Sequence, residues 1–277
     1  VTINPATYYR LDDHVGGIAP GRLADILVLP DETEPTPERV YIGGELTAEH
    51  GKCLRPSPPF PWGSFRIGRP YTLAFSGDVP PELFDFTRHE TPDPYPVMHL
   101  VNAAIIRRKE MPLSSVIREL PEGVLHIAVL SREGQWVSNG LIAGFTSRLD
   151  GLASTYNYSR DVVAVGRDRV AMARAVNRLR QIGGGIVIVE NGEVLFELPL
   201  ELNGRMTEMP MDDLMEHVAA FCSILEKKGY AHNDPFYTLD FLTSLHLPDL
   251  RLTADGLISV KDRKVLIPSI KLNKVNI

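Results

Sequence analysis

Short, continuous apolar runs alternate along this chain with amphipathic stretches, and that rhythm outlines most of its elements. Val124-Leu125-His126-Ile127-Ala128-Val129-Leu130 and Val162-Val163-Ala164-Val165-Gly166 have strand length and read as buried strands. Ile26-Leu27-Val28-Leu29, bounded by Asp25 and Pro30, reads the same way. Arg39-Val40-Tyr41-Ile42 and Glu45-Leu46 alternate around Gly43-Gly44, which predicts a hairpin. Two further strand-like runs, from Ile186 to Phe196, flank Asn191-Gly192, the strongest short-range hairpin signal. A third hairpin is expected at Asp255-Gly256, between Leu250-Arg251-Leu252 and Leu257-Ile258-Ser259-Val260.

The period changes to helical in two places. After Asp168, which can cap a helix, Met172, Val176 and Leu179 fall on one face, and Gly183-Gly184-Gly185 ends the run. From about Pro210 to Lys228, Leu214, Val218, Phe221 and Leu225 form an apolar stripe. Asp212 and Asp213 suit the first turn of this helix, Lys227 and Lys228 the last, and Gly229 its end. Near the start, Asn4-Pro5 predicts a helix beginning, with the Asn4 side chain accepting an orphan amide. Gly16-Gly17 and Pro20-Gly21 are turn signals. Strands outnumber helices and the two are intermixed, so the expected class is α+β.

Prolines divide the chain. Arg55-Pro56-Ser57-Pro58-Pro59-Phe60-Pro61-Trp62-Gly63 is too proline-rich for a helix or a central strand. It reads as a connection between domains, with a proline-rich ligand for a partner as the sharper alternative. A boundary near 55–65 gives a first unit over 1–54 and a second over 65–277. Another proline-rich stretch runs from Thr91 to Pro96.

Composition narrows the partners. The 277 residues carry 44% hydrophobic and 23% charged residues and a formal net charge of −6, as in ordinary soluble globular proteins. Charges of both signs are interspersed without a basic tract, so neither nucleic acid nor a membrane surface is an expected partner. Apolar runs fall short of a membrane span, and the first residues lack the pattern of a signal peptide. Cys53 and Cys222 lie far apart and read as reduced thiols of a cytoplasmic protein.

The eight histidines form no H-x-H, H-x-x-H or H-E-x-x-H pattern. A hydrolytic metal site needs converging imidazole or carboxylate ligands, and this chain gives no sequence trace of one. His126 reads as a hydrogen-bonded core histidine and His217 as a partly exposed one. The triple glycine runs from helix to strand, the reverse of a phosphate loop, so it is a helix stop. The polar and aromatic segment comprising 139–145 and 149–161 reads as a strand-end loop that either binds a ligand or is solvated.

Two stretches carry family resemblances. Thr2-Ile3-Asn4-Pro5-Ala6, followed by Gly17-Ile18-Ala19-Pro20-Gly21-Arg22-Leu23-Ala24-Asp25, resembles the closing segment of amidohydrolase-superfamily enzymes. The order Gly144-Phe145, Gly151-Leu152-Ala153-Ser154-Thr155, Val162–Gly166, Met172-Ala173-Arg174-Ala175-Val176-Asn177-Arg178-Leu179 and Gly183–Val194 resembles the C-terminal domain of bacterial adenine deaminases. Glu197-Leu198-Pro199-Leu200 and Phe236–Leu242 also resemble that family. Where the family carries H-D-S-H-N, this chain reads Asn157-Tyr158-Ser159-Arg160-Asp161, retaining only the serine.

The resemblance implies strands completing an amidohydrolase β-sandwich over 1–54, then a mixed α/β adenine-deaminase C-terminal domain over 65–277. It implies a catalytic barrel outside this chain, holding a divalent metal (manganese, iron or zinc), with the chain inactive alone. The implied reaction is adenine and water to hypoxanthine and ammonia, within purine metabolism, by a cytoplasmic homo-oligomer acting on a small-molecule substrate. Asn157, Tyr158, Ser159, Arg160 and Asp161 are then the expected substrate-binding residues. Losing both histidines of the motif removes its titratable groups, which leaves another amide or amidine as an alternative substrate. A non-catalytic binding or assembly module is the other alternative.

Overall fold

The computed structural model describes residues 2–55, 73–75, 77–88 and 91–272. It divides into two compact units, Val1–Phe65 and Arg66–Ile277. The proline-rich stretch 56–63 lies outside the described residues.

The first unit begins with a short helix, α1 (Ile3–Tyr8). Its N-cap is Thr2, which makes no side-chain capping bond, so the expected cap at Asn4 is displaced: Asn4 already lies inside the first turn. Four antiparallel strands follow in sequential order: β1 (Ile26–Val28), β2 (Arg39–Ile42), β3 (Glu45–Glu49) and β4 (Lys52–Cys53). The Gly43-Gly44 hairpin forms as expected, both glycines having positive φ, and the Asp25 carboxylate accepts the Gly43 amide at 2.8 Å. The expected burial of the Ile26–Leu29 run does not occur. Leu27 is 61% exposed, and Ala6 is the one buried residue among the described residues of this unit. Few strands in one layer cannot cover their own apolar face.

The second unit is built on a sheet of nine strands. These are β5 (Tyr95–Leu100), β6 (Ile106–Met111), β7 (Val124–Leu130), β8 (Trp136–Ala143), β9 (Gly151–Ser154), β10 (Val162–Gly166), β11 (Gly185–Glu190), β12 (Glu193–Pro199) and β16 (Ile270–Lys271). The order is β12-β11-β9-β10-β7-β8-β5-β6, with β16 on the far end of β8, and only β5–β8 is parallel. Helix α2 (Arg169–Gln181) covers one face of this sheet. The other carries α3 (Met211–Lys227), α4 (Pro235–Phe241) and the small sheet β13 (Leu250–Thr253), β14 (Gly256–Ser259) and β15 (Lys264–Pro268).

Two covered faces explain the continuous apolar runs. Along β10, Val162 and Ala164 pack under α2, while Val163 and Val165 join the core on the opposite face. Leu125, Ile127 and Val129 of β7 alternate in the same way with Ala128 and Leu130. The helix comes so close to β9 that a Cβ on Gly151 would lie 2.4 Å from the Ala171 carbonyl carbon. The bidentate pair of Arg178 with Glu197, at 2.7 and 3.0 Å, ties α2 to β12.

Three expectations are revised. Much of the segment read as a strand-end loop is sheet: β8 holds 139–143, and β9 begins at Gly151. Neighbouring layers take up hydrogen bonds from this strand: Asn139 Nδ2 donates to the Leu83 carbonyl at 2.9 Å, and Ser138 Oγ to the Thr253 carbonyl at 2.5 Å, while Asn139 Oδ1 is buried without a partner. Pro96 lies within β5, ahead of the residues that pair with β8, where its missing N–H is not needed. Helix α4 was not foreseen, although Asp234-Pro235 states its start: the Asp234 carboxylate accepts the Tyr237 amide at 3.0 Å, and Pro235 takes the first helical position.

Candidate functional site

The segment 155–161 connects β9 to β10 at one end of the large sheet. Thr155 anchors its start, accepting the Gly185 amide at 2.8 Å and donating to the Gly204 carbonyl at 2.7 Å. The end of α4 holds the middle. Tyr158 donates its amide to the Asp240 carbonyl at 3.0 Å, and Ser159 donates its own to Thr243 Oγ1 at 3.2 Å.

Asn157 is fully buried and closes the turn from within. Its Nδ2 donates to the Asp161 carbonyl at 2.6 Å, and its Oδ1 accepts from Ser159 Oγ at 2.9 Å and Thr243 Oγ1 at 3.3 Å. Its amide capacity is spent inside the loop, so Asn157 shapes the segment. The Ser159 hydroxyl is also occupied, accepting the Asp161 amide at 3.2 Å. Arg160 stands in the left-handed region, at φ 63°, which non-glycine residues seldom adopt.

Tyr158, Ser159, Arg160 and Asp161 have different surroundings. Ser159, Arg160 and Asp161 line a cavity of about 400 Å³ with Arg132, Gln135 and Trp136. Tyr158 is 59% exposed and sits edge-on to His246, with ring centroids 5.9 Å apart. The structure therefore groups Ser159, Arg160 and Asp161 around one cavity, places Tyr158 beside another imidazole, and buries Asn157.

Partial burial raises the Asp161 carboxyl above the usual carboxylate range, against the lowering effect of the Arg132 amide, which it accepts at 3.0 Å. The segment thus offers a guanidinium, a hydroxyl and a carboxylate. That set can bind and orient a polar ligand; the hydroxyl's bond to Asn157 gives it no base to activate it as a nucleophile.

Two groupings escaped the sequence. His126 lines a cavity of about 360 Å³ with Asp85, Arg118, Glu119, Arg167 and Arg169. Its Nδ1 is buried without a hydrogen-bond partner, which corrects the expectation of a bonded core histidine. Burial, reinforced by Arg169, pushes its pKa down to about 4, so the ring is neutral at pH 7. Arg169 pairs with Asp85 at 2.9 Å, and Arg167 donates to the Leu120 carbonyl at 2.6 Å. The pairing of His126 with Gly166 at the end of β10 sets the imidazole next to the segment that carries Arg167 and Arg169. Tyr156, near the start of the segment, opens instead onto a larger apolar cavity beside α3. His217 is half-buried as expected, its Nδ1 lying 2.8 Å from the Asp213 carbonyl.

Among the described residues, no three His, Cys, Asp or Glu side chains converge to hold a metal ion. Cys53 and Cys222 are free thiols. No described helix is long and apolar enough to cross a membrane.

Comparison with known proteins adds the following. The profile of the adenine deaminase C-terminal domain matches residues 101–264, and that of the amidohydrolase family matches residues 1–47. A Halalkalibacterium halodurans protein named "Putative adenine deaminase" is 34% identical over 267 residues, 96% of this chain and 44% of the relative. A Bacillus subtilis protein with the same description is 34% identical over 273 residues, 97% of this chain and 45% of the relative. A Desulforamulus reducens protein named "Adenine deaminase" is 30% identical over 271 residues, 96% of this chain and 46% of the relative. The chain thus spans a little under half the length of these curated relatives.

Proposed function

We propose, from the premise that this chain belongs to the adenine deaminase C-terminal domain family, that it forms the C-terminal part of a hydrolase converting adenine and water to hypoxanthine and ammonia. The observation that carries the reading is the match over residues 101–264, which takes in every strand of the large sheet except β5 and the small terminal strand β16. The amidohydrolase match over 1–47 supports assigning residues 1–54 to the end of a β-sandwich, whose open apolar face a further segment of the whole protein would cover.

The divalent metal of this reading, manganese, iron or zinc, does not fit the described residues, which gather no ligand set. It is assigned to a part of the whole protein outside this chain, and no catalytic step is assigned to it from these residues. What the chain itself supplies is binding. Tyr158, Ser159, Arg160 and Asp161 face the substrate on this reading, with Asn157 holding their loop in shape. The whole protein is then a cytoplasmic homo-oligomer of purine metabolism.

Arg160 favours a second reading of the substrate. A guanidinium presents planar donors and suits a carbonyl-rich or anionic ligand better than neutral adenine. The test is ammonia release by the whole protein containing this chain, loaded in turn with manganese, iron and zinc. Adenine and acidic amides are offered as substrates. Hypoxanthine formed in step with ammonia is the expected result. Turnover of an acidic amide alone would move the assignment to the second substrate, and no turnover with any metal would overturn both.

A further inference from the structure

Helix α3 buries only part of its apolar stripe. Phe221 and Leu225 are fully buried in the core, whereas Leu214 and Val218, on the same face, are half-exposed. They form one wall of a cavity of about 730 Å³ contained within the second unit. Leu198 and Leu200, at the end of β12, and Met206 form the opposite side.

The third side is aromatic. Tyr156 and Phe236 meet edge to face with ring centroids 5.8 Å apart and an interplanar angle of 84°. The Arg205 guanidinium lies 5.4 Å from the Tyr156 ring centre, held by Asp240 at 2.6 Å. The charged groups at the rim are already engaged: Arg205 is paired with Asp240, and the Asp234 carboxylate caps α4 by accepting the Tyr237 amide. Burial and the nearby Asp240 raise the Tyr156 phenol, which keeps its proton as a donor.

We propose that this cavity binds a neutral, planar heteroaromatic molecule of one or two rings. Its volume is that of a small-ligand site, and its lining combines apolar walls with a few polar groups at one end. Perpendicular rings and an anchored guanidinium favour a flat π-system over an aliphatic body. With its guanidinium paired to Asp240, Arg205 is not left over to recruit an anion. This inference does not depend on the deaminase reading.

Two side chains of the chain itself report on occupancy. Met206 lines the cavity, while Met98 is buried in the core and serves as a control. Cys222 also lines it, while Cys53 is exposed in the other unit. Benzimidazole is titrated into the chain carrying ¹³C-methyl methionine, with cyclohexanol as the aliphatic comparison. Benzimidazole should shift the Met206 methyl resonance saturably and leave Met98 unmoved. At ten times the Kd so obtained, alkylation of Cys222 by iodoacetamide should slow about tenfold and that of Cys53 should not change. Val218→Phe, which fills the cavity, should abolish both effects with the Met98 resonance intact. An unmoved Met206, an equal response to cyclohexanol, or an unchanged Cys222 rate would each overturn the proposal. So would a Cys222 already shielded in the whole protein without any probe, since a protein segment would then occupy the cavity.

Discussion

Two wholly apolar four-residue runs meet opposite fates in this molecule. Val162–Val165 in β10 is completely buried, sandwiched between α2 on one face and the α3, α4 and small-sheet layer on the other. Ile26–Leu29 at β1 is largely exposed, in a sheet whose unit buries only Ala6 among its described residues. The difference lies in the covering layers, because both runs are wholly apolar and the exposed one carries the larger side chains. A run of apolar residues specifies a strand; whether the strand is buried depends on elements distant in sequence.

The largest expected effect sets the two sheets directly against each other. Val187 is fully buried beneath α2, so Val187→Asp places an unpaired carboxylate in the core and should cost about 4 kcal/mol. Leu27→Asp, on the exposed strand, should stay within about 0.5 kcal/mol. Urea unfolding followed by far-ultraviolet circular dichroism measures both. Equal losses would erase the distinction between the two sheets.

A smaller effect comes from His126, on the covered sheet. Its imidazole is held at about 4 in the folded chain, against an ordinary value of 6.5. The unfolded chain therefore takes up this proton first as the pH falls. Stability present above about pH 6.5 is lost progressively towards pH 4, by on the order of 3 kcal/mol. The groups acting on it from adjoining elements are Arg169, Asp85, Arg167 and Asp168. His126→Phe should flatten stability across that window relative to the parent, as read by unfolding at pH 7, 5.5 and 4.5. The same slope in both proteins would remove His126 as its source.

The smallest stability effect is expected at Arg160, which lines the cavity at the β9–β10 turn. Arg160→Ala should change stability by no more than about 0.5 kcal/mol. Under the proposed function, the same variant in the whole protein lowers kcat/KM with the fold intact. Unchanged kinetics on every substrate turned over would take the segment out of the binding site.

The sequence carried more of the fold than of the site. Val124–Leu130 and Val162–Gly166 become β7 and β10 over the expected residues, and Asn191-Gly192 turns the β11–β12 hairpin, both residues having positive φ. These signals are local: composition, period and turn chemistry. What escaped is non-local. Asn139 looks like a loop residue until Leu83 is seen to accept its hydrogen bond. Asn157 looks like a ligand contact until Ser154, Ser159, Asp161 and Thr243 are seen to use its amide. The cavity between Tyr156 and α3 exists because Leu214 and Val218 continue a stripe that the core covers only in part, and no spacing of residues announces where cover ends.

Amide hydrogen exchange on the chain alone and on the whole protein containing it tests the contrast between the two sheets most directly. In the chain alone, amides of 26–28 and 39–49 should exchange much faster than those of 124–130 and 162–166. In the whole protein, the first group should become protected as its open face is covered, and the second should not change. Uniform strong protection in the isolated monomer, or no gain for 26–28 and 39–49 in the whole protein, would contradict the assignment of the first unit as an incomplete sheet.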